Sequence, residues 1–351
     1  MRREPRKMTR PNMGLSSLRH LVASLLFVAT GIFGTCFGQS TLEGALTVPD
    51  SKPSSTLSDA TIRGTIDGSP ISLTVTKRLA GAVHSLQWRD KEFIDSADHG
   101  RQLQSASSFY AMQDGPFWAE CYNPTEAGSR LDGDGERSTS HWLGLQVFDR
   151  EIRTSTQMAF WLAPGELSSG RPALNRYALS DHYLHKSIRL NAHTNEHVIE
   201  YNNTFELPST ESHRFAQFEI VTGYMPAEFH SFWAYLPNEK RLKALEDGPG
   251  EQAYPIVFST ENGQHAMGAM LDGWPGEIDA KPGYGRFRFE QERVVKWNVV
   301  MRYRALPSIR SGNYSFRVLI LVGTLHQVLE TMNELHALSI ENRLQHDKTS
   351  R

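Results

Sequence analysis

The stretch Glu120-Cys121-Tyr122-Asn123-Pro124-Thr125-Glu126 places two carboxylates, a thiol, a phenol and an amide around an Asn-Pro turn. Proline biases the residue before it towards extended backbone and the pair favours a turn, so Asn123, Thr125 and Glu126 are aimed in fixed directions. Two chemistries fit such a loop. Glycoside hydrolysis needs two carboxyls flanking the scissile bond, one as acid and the other as nucleophile or base; Glu126 and Glu219 are the expected pair. β-Elimination needs a base next to a sugar carboxylate, a role open to His99 or Tyr224, with Arg101 and Asn123 neutralising the carboxylate. The structural alternative is that Asn123 and Thr125 satisfy backbone groups while Glu126 pairs with Arg101 or Arg130.

Three further segments offer binding groups. Asp95–Ala106 (DSADHGRQLQSA) crowds Arg101, Gln102 and Gln104 beside His99. A planar guanidinium and two amides suit a ligand covered in hydroxyls or carrying a carboxylate, or else form a solvated sheet edge. Phe218–Pro237 mixes Glu219, Tyr224 and His230 with Phe218, Phe229, Phe232, Trp233 and Tyr235, the composition of an aromatic-lined sugar cleft. Phe218 and Phe232 are expected in the core, and Tyr224, His230 and Trp233 in the site. Asp272–Glu290 brings Trp274 between two turn signals, a candidate stacking platform, and Arg286. Asp132, Asp134 and Glu136 alternate with glycines in a spacing that can hold calcium, but the other ligands of the helix-loop-helix calcium pattern are missing. A flexible acidic loop is the expected reading there, and no other metal or cofactor is expected. His182, His185, His193 and His197 fit no zinc spacing. The chain has no His-Glu-x-x-His, Cys-x-x-Cys, phosphate loop or Gly-x-Ser-x-Gly elbow.

The elements that must position these groups are strands. Ile71, Leu73 and Val75, then Trp297, Val299, Met301 and Tyr303, then Tyr314, Phe316, Val318 and Ile320 alternate with period two, which marks strands half buried on a core. Asn262-Gly263 signals a tight two-residue hairpin turn. One long helix is predicted, opened by a capping box at Thr324 and Gln327 and carrying Leu325, Val328, Leu329, Met332 and Leu335 on one face; past about Asn342 the sequence turns polar. The fold class is therefore all-β, a large two-sheet antiparallel sandwich with one C-terminal helix. It is expected as a single domain over residues 61–342, with a frayed tail at 343–351.

Residues 1–38 have the anatomy of a secretory signal peptide: a basic start, an apolar run from Leu21 to Phe33 and a small-residue exit. That run is shorter than the roughly 20 residues needed to span a bilayer. Residues 39–60, rich in Ser, Thr and Pro, read as a flexible tether. Cleavage after Gly38 leaves 31 basic against 38 acidic residues, a net charge of about −7. That charge argues against nucleic acid and anionic membrane as partners. Localisation is expected to be secreted or periplasmic. Cys121 is then the sole cysteine, expected as a small buried hydrophobe.

The segment AGAVHSLQWRDKEFID (residues 80–95), followed by Gly100-Arg101 in a strand-rich exported chain, resembles the galactose mutarotase-like supersandwich proteins, a group of sugar epimerases and domains of carbohydrate lyases and hydrolases. The resemblance covers residues 62–104 and implies a supersandwich fold, a carbohydrate partner and a sugar-contacting role for Arg101. The epimerase pattern continues Asn-Arg after Gly-Arg, where this chain has Gln102-Leu103-Gln104, and the His-Gly-Gly segment is missing. The expected function is an exported carbohydrate-active enzyme cleaving a glycan or glycoside by hydrolysis or β-elimination. The alternatives are a non-catalytic carbohydrate-binding sandwich, in which the same aromatics and amides bind without chemistry, and a structural envelope protein.

Overall fold

In the computed structural model, which describes residues 57–110, 117–272, 282–305 and 308–349, the period-two runs are strands. Ile71, Leu73 and Val75 point inward from Ser69–Val75, and Trp297, Val299 and Met301 from Val294–Arg304. The leader, the tether up to residue 56 and Trp274 lie outside the described residues.

Antiparallel pairing produces two series of strands. The first runs Ala60–Ile66, Ser69–Val75, Val83–Trp88, Leu103–Tyr110, Phe215–Pro226, Val294–Arg304 and Gly283–Phe289. The second runs His141–Val147, Glu151–Phe160, Leu179–Arg189, Val198–Leu207, Gly312–Gly323, Ala266–Leu271, Ile256–Ser259 and Ser231–Leu236. The two-residue strand Pro124–Thr125 joins them, pairing with Ala106 on one side and with Ala159 and Phe160 on the other. With the short strands Lys91–Glu92, Arg241–Ala244 and Gly250–Gln252 added, nineteen strands of the described residues form one hydrogen-bonded set. Alternation gives each series an apolar face, and the two faces close on one another. Phe218 of the first series meets Phe205 and Phe316 of the second at ring-centroid distances of 5.0 and 5.4 Å. This is the expected all-β antiparallel sandwich.

The helix Leu325–Thr349 covers the outer face of the second series, with Val328, Met332 and Leu335 against Tyr235, Val257 and Leu321. Its capping box forms: Gln327 N donates to Thr324 Oγ1 at 3.3 Å, and Thr324 N donates to Gln327 Oε1 at 2.9 Å. The helix continues to Thr349, beyond Asn342 where the apolar stripe ends. No helix of the described residues is long and apolar enough to cross a membrane.

The Asn262-Gly263 hairpin departs from the expected two-residue turn. The paired strands end at Ser259 and resume at Ala266, and only Gly263 of the pair takes a positive φ, +65°. The Asn262 side chain explains this, because its Oδ1 accepts from Thr260 Oγ1 at 2.8 Å and Gln264 N at 3.1 Å, building a wider turn around itself. Cys121 is a buried free thiol, pushed up in pKa by burial.

Candidate active site

A cavity of about 100 Å³ opens on the face of the first series formed by Leu103–Tyr110, Phe215–Pro226 and Val294–Arg304, and the loops 98–101, 119–133 and Trp161 wall it. At roughly 10–15 Å³ per water, it has the scale of one sugar ring rather than an oligosaccharide.

Its floor depends on an irregularity. In a regular strand, residues 219 and 224 would point to opposite faces. Here the pairing with Val294–Arg304 steps from Glu219↔Val300 to Val221↔Val299, so Ile220 is an extra, bulged residue. A bulge re-aims the side chains beyond it. Glu219, Thr222 and Tyr224 consequently share the cavity face, while Ile220 and Val221 are fully buried. Across the next strand, Asn298 stands opposite Thr222 and Lys296 opposite Tyr224.

These side chains form one charged cluster. Glu219 Oε2 accepts from Thr222 Oγ1 at 2.7 Å and Asn298 Nδ2 at 3.4 Å, and lies 3.4 Å from Lys296 Nζ. All three contacts fall on Oε2, and Oε1 has no partner among the described residues. Burial works to raise the Glu219 pKa, but the Lys296 charge and the hydrogen bonds outweigh it, holding the carboxyl below its usual range. Burial likewise works to lower Lys296, and Glu219 and Tyr224 beside it reverse the effect, so its ammonium is retained well above the ordinary lysine range. Tyr224 is raised by burial, only partly offset by Lys296, which keeps the phenol protonated. The cavity therefore presents a carboxylate base, a neutral phenol donor and an ammonium between them.

The walls supply recognition groups. Arg101 sits in a turn closed by Gly100 N donating to Asp98 Oδ1 at 2.8 Å, and its Nε donates to Asp98 Oδ2 at 3.0 Å. Trp161 and Phe289 are half-buried apolar walls, and Phe289 stacks on Tyr224 at 6.3 Å and 19°. Asn123 lines the cavity, but its amide nitrogen is committed to Ser107 O at 2.6 Å and Ser108 Oγ at 3.1 Å. Gln104 also lines it while accepting from Ala127 N at 3.2 Å.

Of the expected site residues, Glu219, Tyr224, Arg101, Gln104 and Asn123 converge here; Trp274 lies outside the described residues, and the remaining ones are placed otherwise than expected. Glu126 is fully buried behind the wall, its Oε2 accepting from Ser105 N at 3.0 Å and its Oε1 bonded to Lys186, which is equally enclosed. It cannot be the partner carboxyl of Glu219, nor does it pair with Arg101 or Arg130. His99 touches the cavity wall, yet both ring nitrogens are turned to backbone carbonyls, Nδ1 to Gly133 O at 2.8 Å and Nε2 to Arg78 O at 2.9 Å, and neither is directed at a ligand in the cavity. Gln102 is buried and donates to His99 O at 2.8 Å. His230 lies in a separate shallow depression with Lys91, Glu228 and His265. Trp233 donates to Ser259 Oγ at 3.1 Å and packs into the core under the helix. Arg286 bonds Glu246 O and Gln252 Oε1, on the strand face opposite Phe287 and Phe289.

Asp132 does not stand free for an ion. Its oxygens accept from Ser129 N, Thr139 N and Thr139 Oγ1 at 2.6–2.8 Å, pinning the loop, while Asp134 and Glu136 are exposed. The described residues whose ligand atoms do gather within 4.8 Å are Asp67, Glu196 and His197, away from the cavity lining, where Asp67 already engages Arg89 and Gln327.

Sequence reasoning missed Lys296, Thr222, Asn298, Trp161 and Phe289. A signal existed for two of them: Lys296 and Asn298 interrupt an otherwise apolar strand at period two, opposite the core face of Val295, Trp297 and Val299.

No protein-family model and no curated protein sequence matches the chain. Solved structures similar to it include a protein from Klebsiella pneumoniae provisionally named an aldose 1-epimerase, at 8% identity and TM-score 0.40, covering 80% of this chain and 91% of that one. An alpha-mannosidase from Enterococcus faecalis is similar at 7% identity and TM-score 0.44, covering 76% of this chain and 30% of that one. A heparan sulfate lyase from Pedobacter heparinus is similar at 7% identity and TM-score 0.38, covering 79% and 37%.

Proposed function

We propose that the protein is an exported carbohydrate-active enzyme that holds one sugar ring in this cavity and cleaves a glycan or glycoside there by acid–base chemistry. The observation that carries the reading is Glu219. One oxygen is anchored by Thr222, Asn298 and Lys296, the other is unengaged, and the group lines a sugar-sized cavity. Anchoring fixes a catalytic group without occupying the atom that must act. Glu219 is the base, Tyr224 the proton donor, and Lys296 holds both in their working protonation states. Trp161 and Phe289 give apolar faces for the ring, and Arg101 and Asn123 meet its hydroxyls.

A second reading, a non-catalytic sugar-binding sandwich, draws on the half-buried apolar walls Trp161 and Phe289, which can hold a ring face without any chemistry. The experiment is incubation of the mature protein with a polysaccharide panel, read for reducing ends and for unsaturated products, with binding measured in parallel. Release of either product that is lost in Glu219→Gln supports the enzyme. Binding without release from any substrate supports the second reading.

A further inference from the structure

We infer that the cavity takes an uncharged sugar residue and disfavours one bearing a carboxylate or sulfate; this rests on the carbohydrate reading above. A pocket for an anionic sugar needs cationic groups left over to receive it, and each cation here is already matched. Arg101 is held by Asp98 at 3.0 Å, with Asp95 at 3.9 Å. Arg130 is held by Glu166 at 2.9 Å. Lys296 is held by Glu219 at 3.4 Å and lies 5.3 Å from the ring centres of Tyr224 and Phe287.

The lining is negative in balance: Asp98, Glu120, Glu219 and Glu292 against Arg101, Arg130 and Lys296. Asp95 and Glu166 stand directly behind those cations and deepen the negative potential. An incoming carboxylate would have to displace an internal one while facing the remainder at short range in a partly dry site, where like charges are weakly screened. Hydroxyls meet no such opposition, because carboxylate oxygens accept from them and the apolar walls cover the ring faces. β-Elimination, which needs a substrate carboxylate neutralised beside the acidified C–H, is correspondingly disfavoured, and cleavage by hydrolysis is favoured. There, water adds to the anomeric carbon as the glycosidic C–O bond breaks; Glu219 takes the proton of the water and Tyr224 gives one to the leaving oxygen.

The test uses one backbone in two charge states: polygalacturonate and its fully methyl-esterified form, with a neutral galactan as a third probe, against the mature protein. Neutral forms are expected to bind at least tenfold tighter than the acid form, with any product carrying a reducing end and no unsaturated uronate. Glu166→Gln, which removes the charge matched to Arg130 without altering a residue of the cavity lining, is expected to raise affinity for polygalacturonate severalfold and leave the neutral probes unchanged. Tighter binding of the acid form by the unaltered protein, or release of unsaturated uronate, overturns the inference and leaves the carbohydrate reading standing. Failure of all three probes, extended to a general glycan panel, removes that reading and the inference with it.

Discussion

Two glutamate–lysine pairs lie within one sandwich and differ in what they leave open. Glu126 and Lys186 are 0% and 1% exposed, and every polar atom of the pair is consumed: Ser105 N and Lys186 take the carboxylate oxygens, and Lys186 also donates to Gly81 O at 3.2 Å. Glu219 and Lys296 are 16% and 13% exposed, line a cavity, and leave one carboxylate oxygen unengaged. Residue type and pairing are the same in both. What distinguishes the sealed pair from the one able to act on a ligand is whether an acceptor is left over and whether solvent-sized space adjoins it.

The comparison can be broken most directly at the sealed pair. Lys186→Met is expected to cost about 3–5 kcal/mol, as removal of one partner strands a buried charge, and urea unfolding measures it. Adding Glu126→Leu should recover most of that loss; a single-variant cost below about 1 kcal/mol would show the pair is not sealed. Next in size, Glu219→Gln is expected to lower turnover about 10²–10³-fold. It should cost less stability than Lys186→Met, since the glutamine oxygen still accepts from Thr222 and Asn298.

Acidity sharpens the contrast further. Because the folded Glu219 pKa is depressed below the ordinary 4.5, its contribution to stability is complete above about pH 4.5 and is lost as pH falls through the lowered value. The acid limb of the rate profile should therefore lie below the ordinary carboxylate range, and unfolding curves of Glu219→Gln and the unaltered protein should converge there. The smallest effect belongs to the walls. Trp161→Ala is expected to weaken sugar binding by about 0.5–1.5 kcal/mol, seen as a change in Kd with the pH profile unmoved.

Most of the fold was legible because a sandwich repeats a local rule. Period two in Ser69–Val75 and Val294–Arg304, and the Thr324–Gln327 cap, each declare themselves within a few residues. The cavity lining was legible only in part, at Arg101, Gln104, Asn123, Glu219 and Tyr224. Glu126 was expected to pair with Glu219 from its place in the turn, but the lysine that claims it is 60 residues further on, and no local pattern announces such a pairing. His99 was misread for the same reason: the carbonyls of Arg78 and Gly133 that occupy it come from two separate loops. Trp233 and Arg286 were assigned by composition, which cannot say which side of a strand a residue takes.

The extra residue at Ile220 makes the cavity sensitive to chain length in a way that no substitution reproduces. Removing that one residue would restore strict alternation and swing either the carboxylate or the phenol into oil, dismantling the constellation while every member of it remained encoded. Among descendants of this chain, a single-codon gap at that point is the mark by which loss of the pocket could be read from a gene alone.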